Sequence, residues 1–463
     1  MNEVKTKESA CFVEGSLAKG MIKFALPLVA TSILLQLFNT LDTSIAGRFI
    51  SDRALAAVGS TATISSFFIE FFMGFSIATE VIIARHLGRG NKKEASRAAR
   101  TAISSSLICG ALIAIIGILT ADPLLVLMKV PEDIIDLSSI YLKIYFSSMP
   151  FYMLYLFEAA EFRSVGNTKT PMLCLVASGA LKCSLDFVFV LGFDMGVVGM
   201  ALATLLSNSF SAVLLFYLLS RRDDAIKISL RTLDFEVETV KELLRIGLPS
   251  AFLGSVFSIS NLIVQSAIND LGTVAIAAST AASSIEIYIQ FFGNAFQSAA
   301  TTYTAQNHGA GQLERLRRIP VVALLLCNAV TLPLSLLSYA FAPLLLRMFA
   351  TEAAIISLAI LRMRYTLLFK PIQAVMDIMS GTLRGYGYTL VPAIASIFLV
   401  CGVRILWINT GFTANPSLPT LMFIYPVTQA LASLSHTVCF LYLSRRMRKK
   451  DALGYTKNTY IPT

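Results

Sequence analysis

Apolar runs of about twenty residues recur along this chain from one end to the other, and nothing else constrains its fold as tightly. Runs such as 102–120, 320–349 and 388–401 alternate with short basic or mixed segments. A helix of about 20 residues crosses a ~30 Å hydrocarbon core. With no water in that core, each run must be helical so that its backbone N–H and C=O groups are paired internally. Of the 463 residues 56% are hydrophobic and only 14% charged, with a mean hydropathy of +0.71. A soluble domain needs a more charged surface than that. The sequence therefore specifies an all-α integral membrane protein. Twelve transmembrane helices are predicted, at 20–46, 54–81, 94–120, 132–158, 167–192, 196–219, 240–268, 274–303, 315–344, 353–380, 387–408 and 418–444.

The net charge of +10 is topological. Lys5, Lys7, Lys19 and Lys23 precede the first span, and Arg85, Arg89, Lys92, Lys93, Arg97 and Arg100 follow the second. Further basic residues sit at Arg163 and Lys169, at Arg221, Arg222, Lys227 and Arg231, at Arg315, Arg317 and Arg318, and from Arg445 to Lys450. The alternate connections carry far fewer. This positive-inside bias predicts a multi-pass protein of the cell membrane with both termini in the cytoplasm, and it argues against a nucleic-acid partner. Residues 1–20 precede a span that reads as a retained signal-anchor, with no cleavable signal peptide evident.

The chain is internally duplicated. Pro150 and Pro371, Arg163 and Arg384, Gly166 and Gly387, Thr168 and Thr389, and Pro171 and Pro392 are each 221 residues apart. Gly88/Gly309 and Gly90/Gly311 keep that offset, and Leu26-Pro27 precedes Leu248-Pro249 by 222. Six spans per copy is an even number, so the copies run in the same direction, with the working cavity expected between them. The expected domains are a six-helix bundle at 1–220, an amphipathic cytoplasmic linker at 221–247 and a second bundle at 248–463. Parallel repeats of this kind are a transporter architecture.

Ionisable groups inside spans are expensive and mark function. In the first span Gln36, Asn39, Asp42 and Thr43 share one face, and Pro27 earlier in the helix is a candidate hinge. The plainer alternative puts Asp42 at the outer mouth, near Arg48 and Asp52. In the fifth span Lys182 and Asp186 are four apart, a pair that is either structural or a site for a proton or a hard cation. Thr204 in the sixth span can reach the same region. Secondary candidates are Glu286, Asp377 and Arg404, the last equally readable as snorkelling to an interface. Nothing points to an enzyme or a cofactor. The histidines, 86, 308 and 436, lack metal-ligand spacing, and no phosphate-binding loop occurs. The seven cysteines (Cys11, Cys109, Cys174, Cys183, Cys327, Cys401 and Cys439) read as small core residues.

These features together resemble the multidrug and toxic compound extrusion (MATE) family over essentially the whole chain. The resemblance rests on Leu26-Pro27 with Leu41-Asp42-Thr43, on Leu248-Pro249, and on Ala305-Gln306-Asn307-His308-Gly309-Ala310-Gly311. Arg384-Gly385-Tyr386-Gly387 and Leu185-Asp186-Phe187 with Gly199 and Thr204 add to it. It implies a V-shaped pair of six-helix bundles that exports amphipathic, often cationic organic compounds in exchange for H⁺ or Na⁺, with no obligate protein partner. The resemblance is closer to the DinF-like branch, whose amino-terminal bundle carries an acid on helix 1, an Asn and an Asp on helix 5 and a Thr on helix 6. Asp42, Asp186 and Thr204 match three of these positions, which implies an ion site there, Na⁺ included. Lys182 stands where the family usually has Asn, and its ammonium can occupy the space of a bound Na⁺. The acids of the NorM-like branch are replaced near Phe257 and Gln373. A lipid-linked-precursor flippase of the same superfamily and a non-transporting membrane protein remain the alternatives. A facilitator-type transporter lacks support, because its Gly-Asp-Gly-Arg loop is absent from 85–97.

Overall fold

A computed structural model of the chain describes residues 12–128, 130–228 and 234–452. The basic residues Lys5, Lys7 and Arg231, with Cys11, lie outside them. Among the described residues the secondary structure is entirely helical. The first repeat contains α1 (Leu17–Ile45), α2 (Asp52–Gly88), α3 (Lys92–Leu127), α4 (Glu132–Ser147), α5 (Met149–Ser164), α6 (Lys169–Phe187) and α7 (Gly196–Ser220). The second contains α8 (Val237–Asn269), α9 (Thr273–Gly309), α10 (Leu313–Ala340), α11 (Ala342–Leu346), α12 (Ala353–Leu367) and α13 (Lys370–Gly385). It ends with α14 (Leu390–Ser396), α15 (Val403–Trp407), α16 (Leu418–Met422) and α17 (Ile424–Ala452). Nine helical spans among the described residues are long and apolar enough to cross a membrane. The fourth, tenth and twelfth predicted spans are instead interrupted, between α4 and α5, α12 and α13, and α16 and α17. Pro150 and Pro371 open α5 and α13, where a missing N–H is tolerated at the first turn of a helix but not in its interior.

The duplication is visible in backbone geometry. Gly90 and Gly311 have φ of +76° and +69°, and Gly166 and Gly387 have +88° and +89°. These left-handed turns are closed by the same hydrogen bonds in both copies. Asn91 N donates to His86 O at 3.0 Å, as Gln312 N does to Asn307 O. Gly166 N donates to Arg163 O at 2.9 Å, and Gly387 N to Arg384 O at 2.8 Å. π-Helical turns at Val188–Gly192 and Ile408–Phe412 extend equivalent helices in the two copies.

The described residues form two compact units. One comprises Ala30–Leu87 with Asn91–Ala251, and the other comprises 12–29, Gly88–Gly90 and 252–452. The divisions at Val29/Ala30 and Ala251/Phe252 fall inside continuous helices, α1 and α8, two residues beyond Pro27 and Pro249. Segment 234–251 is docked within the first unit: Arg85 pairs with Glu242, Arg97 with Glu236 at 3.2 Å, and Glu236 N donates to Thr101 Oγ1 at 3.3 Å.

Packing within the first unit inverts the soluble rule. On α3 the buried positions are small, including Ala98, Ala102, Ser106, Gly110, Ala114 and Gly117, whereas Ile108, Leu112, Ile115 and Leu119 are exposed. Small residues let helix backbones approach closely, and large apolar ones face lipid. α3 packs on α4 and α5, and α7 packs on α5 and α6. In the second unit α9 is central, packed against α10, α12 and α13.

Candidate ion-coupling site

Asp42 lies near the end of α1 and Lys182 and Asp186 lie on α6, all within the first unit. The two helices come together where Gly179, one turn before Lys182, meets Phe38, one turn before Asp42. A Cβ at Gly179 would overlap the phenyl ring, so any larger residue there must push Phe38 aside. The result is a three-residue ion cluster. Lys182 Nζ donates to Asp42 Oδ1 and, at 3.0 Å, to Asp186 Oδ2. The side chains of Asp42, Lys182 and Asp186 are 19%, 11% and 1% exposed, so one ammonium sits between two carboxylates largely out of solvent.

The cluster carries two negative charges and one positive. Burial makes each charge costly unless it is paired, so a proton arriving on either acid changes which pair forms. The other predicted members are placed differently. Thr204 Oγ1 donates to Met200 O of its own helix at 3.0 Å. Thr43 Oγ1 donates to Asn39 O at 3.2 Å and Thr40 O at 3.0 Å, while Gln36 O accepts from Thr40 at 2.9 Å. Asn39 is exposed and Gln36 half-buried. Pro27 lies inside the unbroken α1, beside an apolar cavity of about 230 Å³ lined by Ile22, Ala25, Leu26, Val29, Phe292 and Phe296.

The secondary candidates fall in the second unit as two polar groups and a buried arginine. Glu286 on α9 accepts from Arg362 of α12 at 3.3 Å and from Thr366 Oγ1 at 2.6 Å. Asp377 accepts from Gln290 Nε2 at 3.3 Å, and Lys370 Nζ donates to Gln290 Oε1 and Gln373 Oε1 at 2.8 and 2.9 Å. Arg404 does not snorkel. It is 4% exposed, its guanidinium stands 4.4 Å from the Tyr425 ring centre, and it donates to Ser260 and Asn261. Lys370 and Arg362 are functional-site candidates absent from the sequence reading. Both lie inside the predicted tenth span, where a count of ionisable groups finds them. Glu80, Glu158 and Glu161 are the other buried acids it passed over.

The sequence profile of the MatE family matches residues 27–188 and 249–408, one stretch in each repeat. The chain belongs to the MatE family. It is 28% identical to a probable multidrug resistance protein, YoeA, of Bacillus subtilis over 84% of this chain and 86% of that one. It is 27% identical to a probable multidrug resistance protein, NorM, of Thermotoga maritima, over 84% of each. The multidrug export protein MepA of Staphylococcus saprophyticus is 22% identical over 95% of both chains. Among solved structures, a MATE transporter bound to MaL6 superimposes with a TM-score of 0.88 at 23% identity, covering 96% of this chain and 99% of that one. A MOP superfamily transporter from Pyrococcus furiosus gives 0.87 with the same coverage and identity. This MatE chain is thus a multi-pass, all-helical membrane transporter of the multidrug efflux family, and that family is not one of enzymes.

Proposed function

We propose that this chain is a secondary antiporter of the cell membrane that exports amphipathic, cationic organic compounds in exchange for protons. Both termini lie in the cytoplasm, and bundles 1–220 and 248–463, joined by 221–247, work by alternating access. The observation that carries the reading is the Asp42–Lys182–Asp186 cluster. The Lys182 ammonium occupies the space between the two acids, which favours H⁺ over Na⁺ as the coupling ion. A proton on Asp42 or Asp186 weakens the hold on Lys182, frees the end of α1 from α6, and lets α1 bend at Pro27 to release drug outward. Asp42→Asn in proteoliposomes is expected to abolish pH-driven export of a cationic dye while the protein still folds. Full export by that variant would remove the basis of the mechanism.

A second reading draws on Lys370 and Arg404, buried cations in the second unit whose polar partners are neutral (Gln290, Gln373, Ser260 and Asn261). The similar Pyrococcus furiosus transporter was described with a binding pocket of reverse polarity that suggests a different function. Translocation of an anionic, lipid-linked amphiphile, with no dye export, is the result that favours this flippase reading.

A further inference from the structure

The last two turns of α5 carry two acids that the ion-coupling cluster does not use. Glu158 and Glu161 are both 0% exposed, and none of their four carboxyl oxygens has a hydrogen-bond partner among the described residues. Three positions apart, they lie on one face of the helix. Their level is fixed by the neighbouring helices. Phe75 of α2 meets Phe157 at 5.6 Å between ring centres, and Glu80 Oε2 accepts from Arg163 Nε at 2.7 Å. That parallel register sets Thr79 beside Glu161. On the other side Gly110 of α3 packs against the Pro150 backbone, and the antiparallel run brings Ala102 and Ala99 to the level of the two acids, with Ser105 a turn away. The hydroxyls of Thr79 and Ser105, 0% and 6% exposed, are likewise without a hydrogen-bond partner. Four unpartnered buried polar side chains thus lie within about two turns of one another in the unit, with alanines of α3 at the level of the two acids.

The charges nearby are engaged elsewhere. Arg163 holds Glu80, Arg85 holds Glu242, Arg97 holds Glu94 and Glu236, Arg100 of α3 donates to Ser96 O at 3.3 Å and Ser96 Oγ at 3.2 Å, and Arg222 pairs with Asp224 while stacking over the Phe162 ring. From α6 the neighbouring titratable group is the buried Cys174 thiol, and the Tyr155 hydroxyl on α5 itself donates to Pro171 O at 3.1 Å. α7 presents no acid or base between Gly196 and Ser220. No group of three or more His, Cys, Asp or Glu residues with metal-binding geometry exists among the described residues. Two ionised carboxylates on one buried helix face would be uncompensated like charges, each bearing the full cost of desolvation. Neutral carboxylic acids satisfy the same geometry without that cost.

We propose that Glu158 and Glu161 form a second proton-binding site in this transporter, distinct from the Asp42–Lys182–Asp186 cluster and loaded when this end of the first unit is closed. Opening this end wets the pair and releases protons; closing it requires them back. The proposal rests on the antiport reading for its place in a transport cycle, but its test does not. Infrared spectra of the purified full chain in lipid vesicles would be recorded in H₂O and D₂O, for wild type, Asp42→Asn, and the Glu158→Gln/Glu161→Gln double variant. The carbonyl band of a protonated, buried carboxylic acid is expected in wild type and in Asp42→Asn, and to be lost in the double variant. Each single Gln variant, a close isostere of the protonated acid, should remove part of the band, which keeps the test open if the double variant does not fold. A band absent from wild type, or retained in the Gln variants, overturns the proposal. So does a band that Na⁺ at fixed pH converts to ionised carboxylate, which would make the pair a sodium site. In the same vesicles the double variant should flatten the pH dependence of dye export at least severalfold. A failed antiport reading would instead show as no pH-driven export in wild type, with the band intact.

Discussion

Lys182 decides the character of the proposed ion-coupling site, because a single ammonium offsets two carboxylates that would otherwise face each other. Removing it by Lys182→Ala leaves two buried acids without a cation, and loss of one partner of a buried ion pair costs about 3–5 kcal/mol. Protonation relieves that cost. Thermal unfolding of Lys182→Ala should therefore lie well below wild type at neutral pH and approach it as the pH falls. A deficit unchanged by pH would show that Lys182 acts through packing alone. Lys182→Asn makes a complementary prediction. With the ammonium gone, the space between Asp42 and Asp186 opens to a hard cation, and export by this variant should become dependent on Na⁺, read as dye efflux at fixed pH with and without sodium. The sequence exposed Asp42, Lys182 and Asp186 through their cost inside spans. Helical spacing pairs Lys182 with Asp186, since both lie on one helix face, whereas the pairing with Asp42, 140 residues away in the chain, comes only through the family resemblance. Helical spacing reports which residues share a face of one helix, not which face of another helix they meet. Thr204 joins the cluster through the resemblance, and its hydroxyl donates to Met200 O of its own helix at 3.0 Å.

The helices themselves were far more legible, because hydrocarbon length and the prolines and glycines that bound each span act locally. Pro150 and Pro371 mark the two equivalent breaks, and Gly166 and Gly387 the two equivalent turns, all from the same 221-residue offset. Missed were Glu158, placed at a span boundary, and Glu161, placed outside it, though α5 continues to Ser164. At Gly166 and Gly387 an alanine must adopt a left-handed conformation that costs about 1–2 kcal/mol. Gly166→Ala and Gly387→Ala should lower unfolding temperature by similar amounts, because φ is the same at both sites. The meeting of α1 and α6 gives a sharper test. Gly179→Ala forces the Phe38 ring aside, and overpacking of this kind costs about 1–3 kcal/mol. pH-driven export should fall with it, and Phe38→Ala in the same protein should restore part of both stability and transport. Additive losses in the double variant would mean that this contact does not position Lys182 against Asp42.

At the scale of the whole chain, the repeat seen in the sequence and the compact unit seen in the fold are not the same set of residues. Segment 12–29 belongs with 252–452, and segment 234–251, its counterpart 222 positions later, belongs with 30–87 and 91–251. Each repeat completes its own unit only by receiving the leading arm of the other. A half-length chain ending before 234 would leave its unit short of one arm while carrying an arm with no home. Two such chains could trade arms and close both units, so the reciprocal loan that now runs within one polypeptide is the arrangement by which a single-repeat forebear would have been held together as a pair.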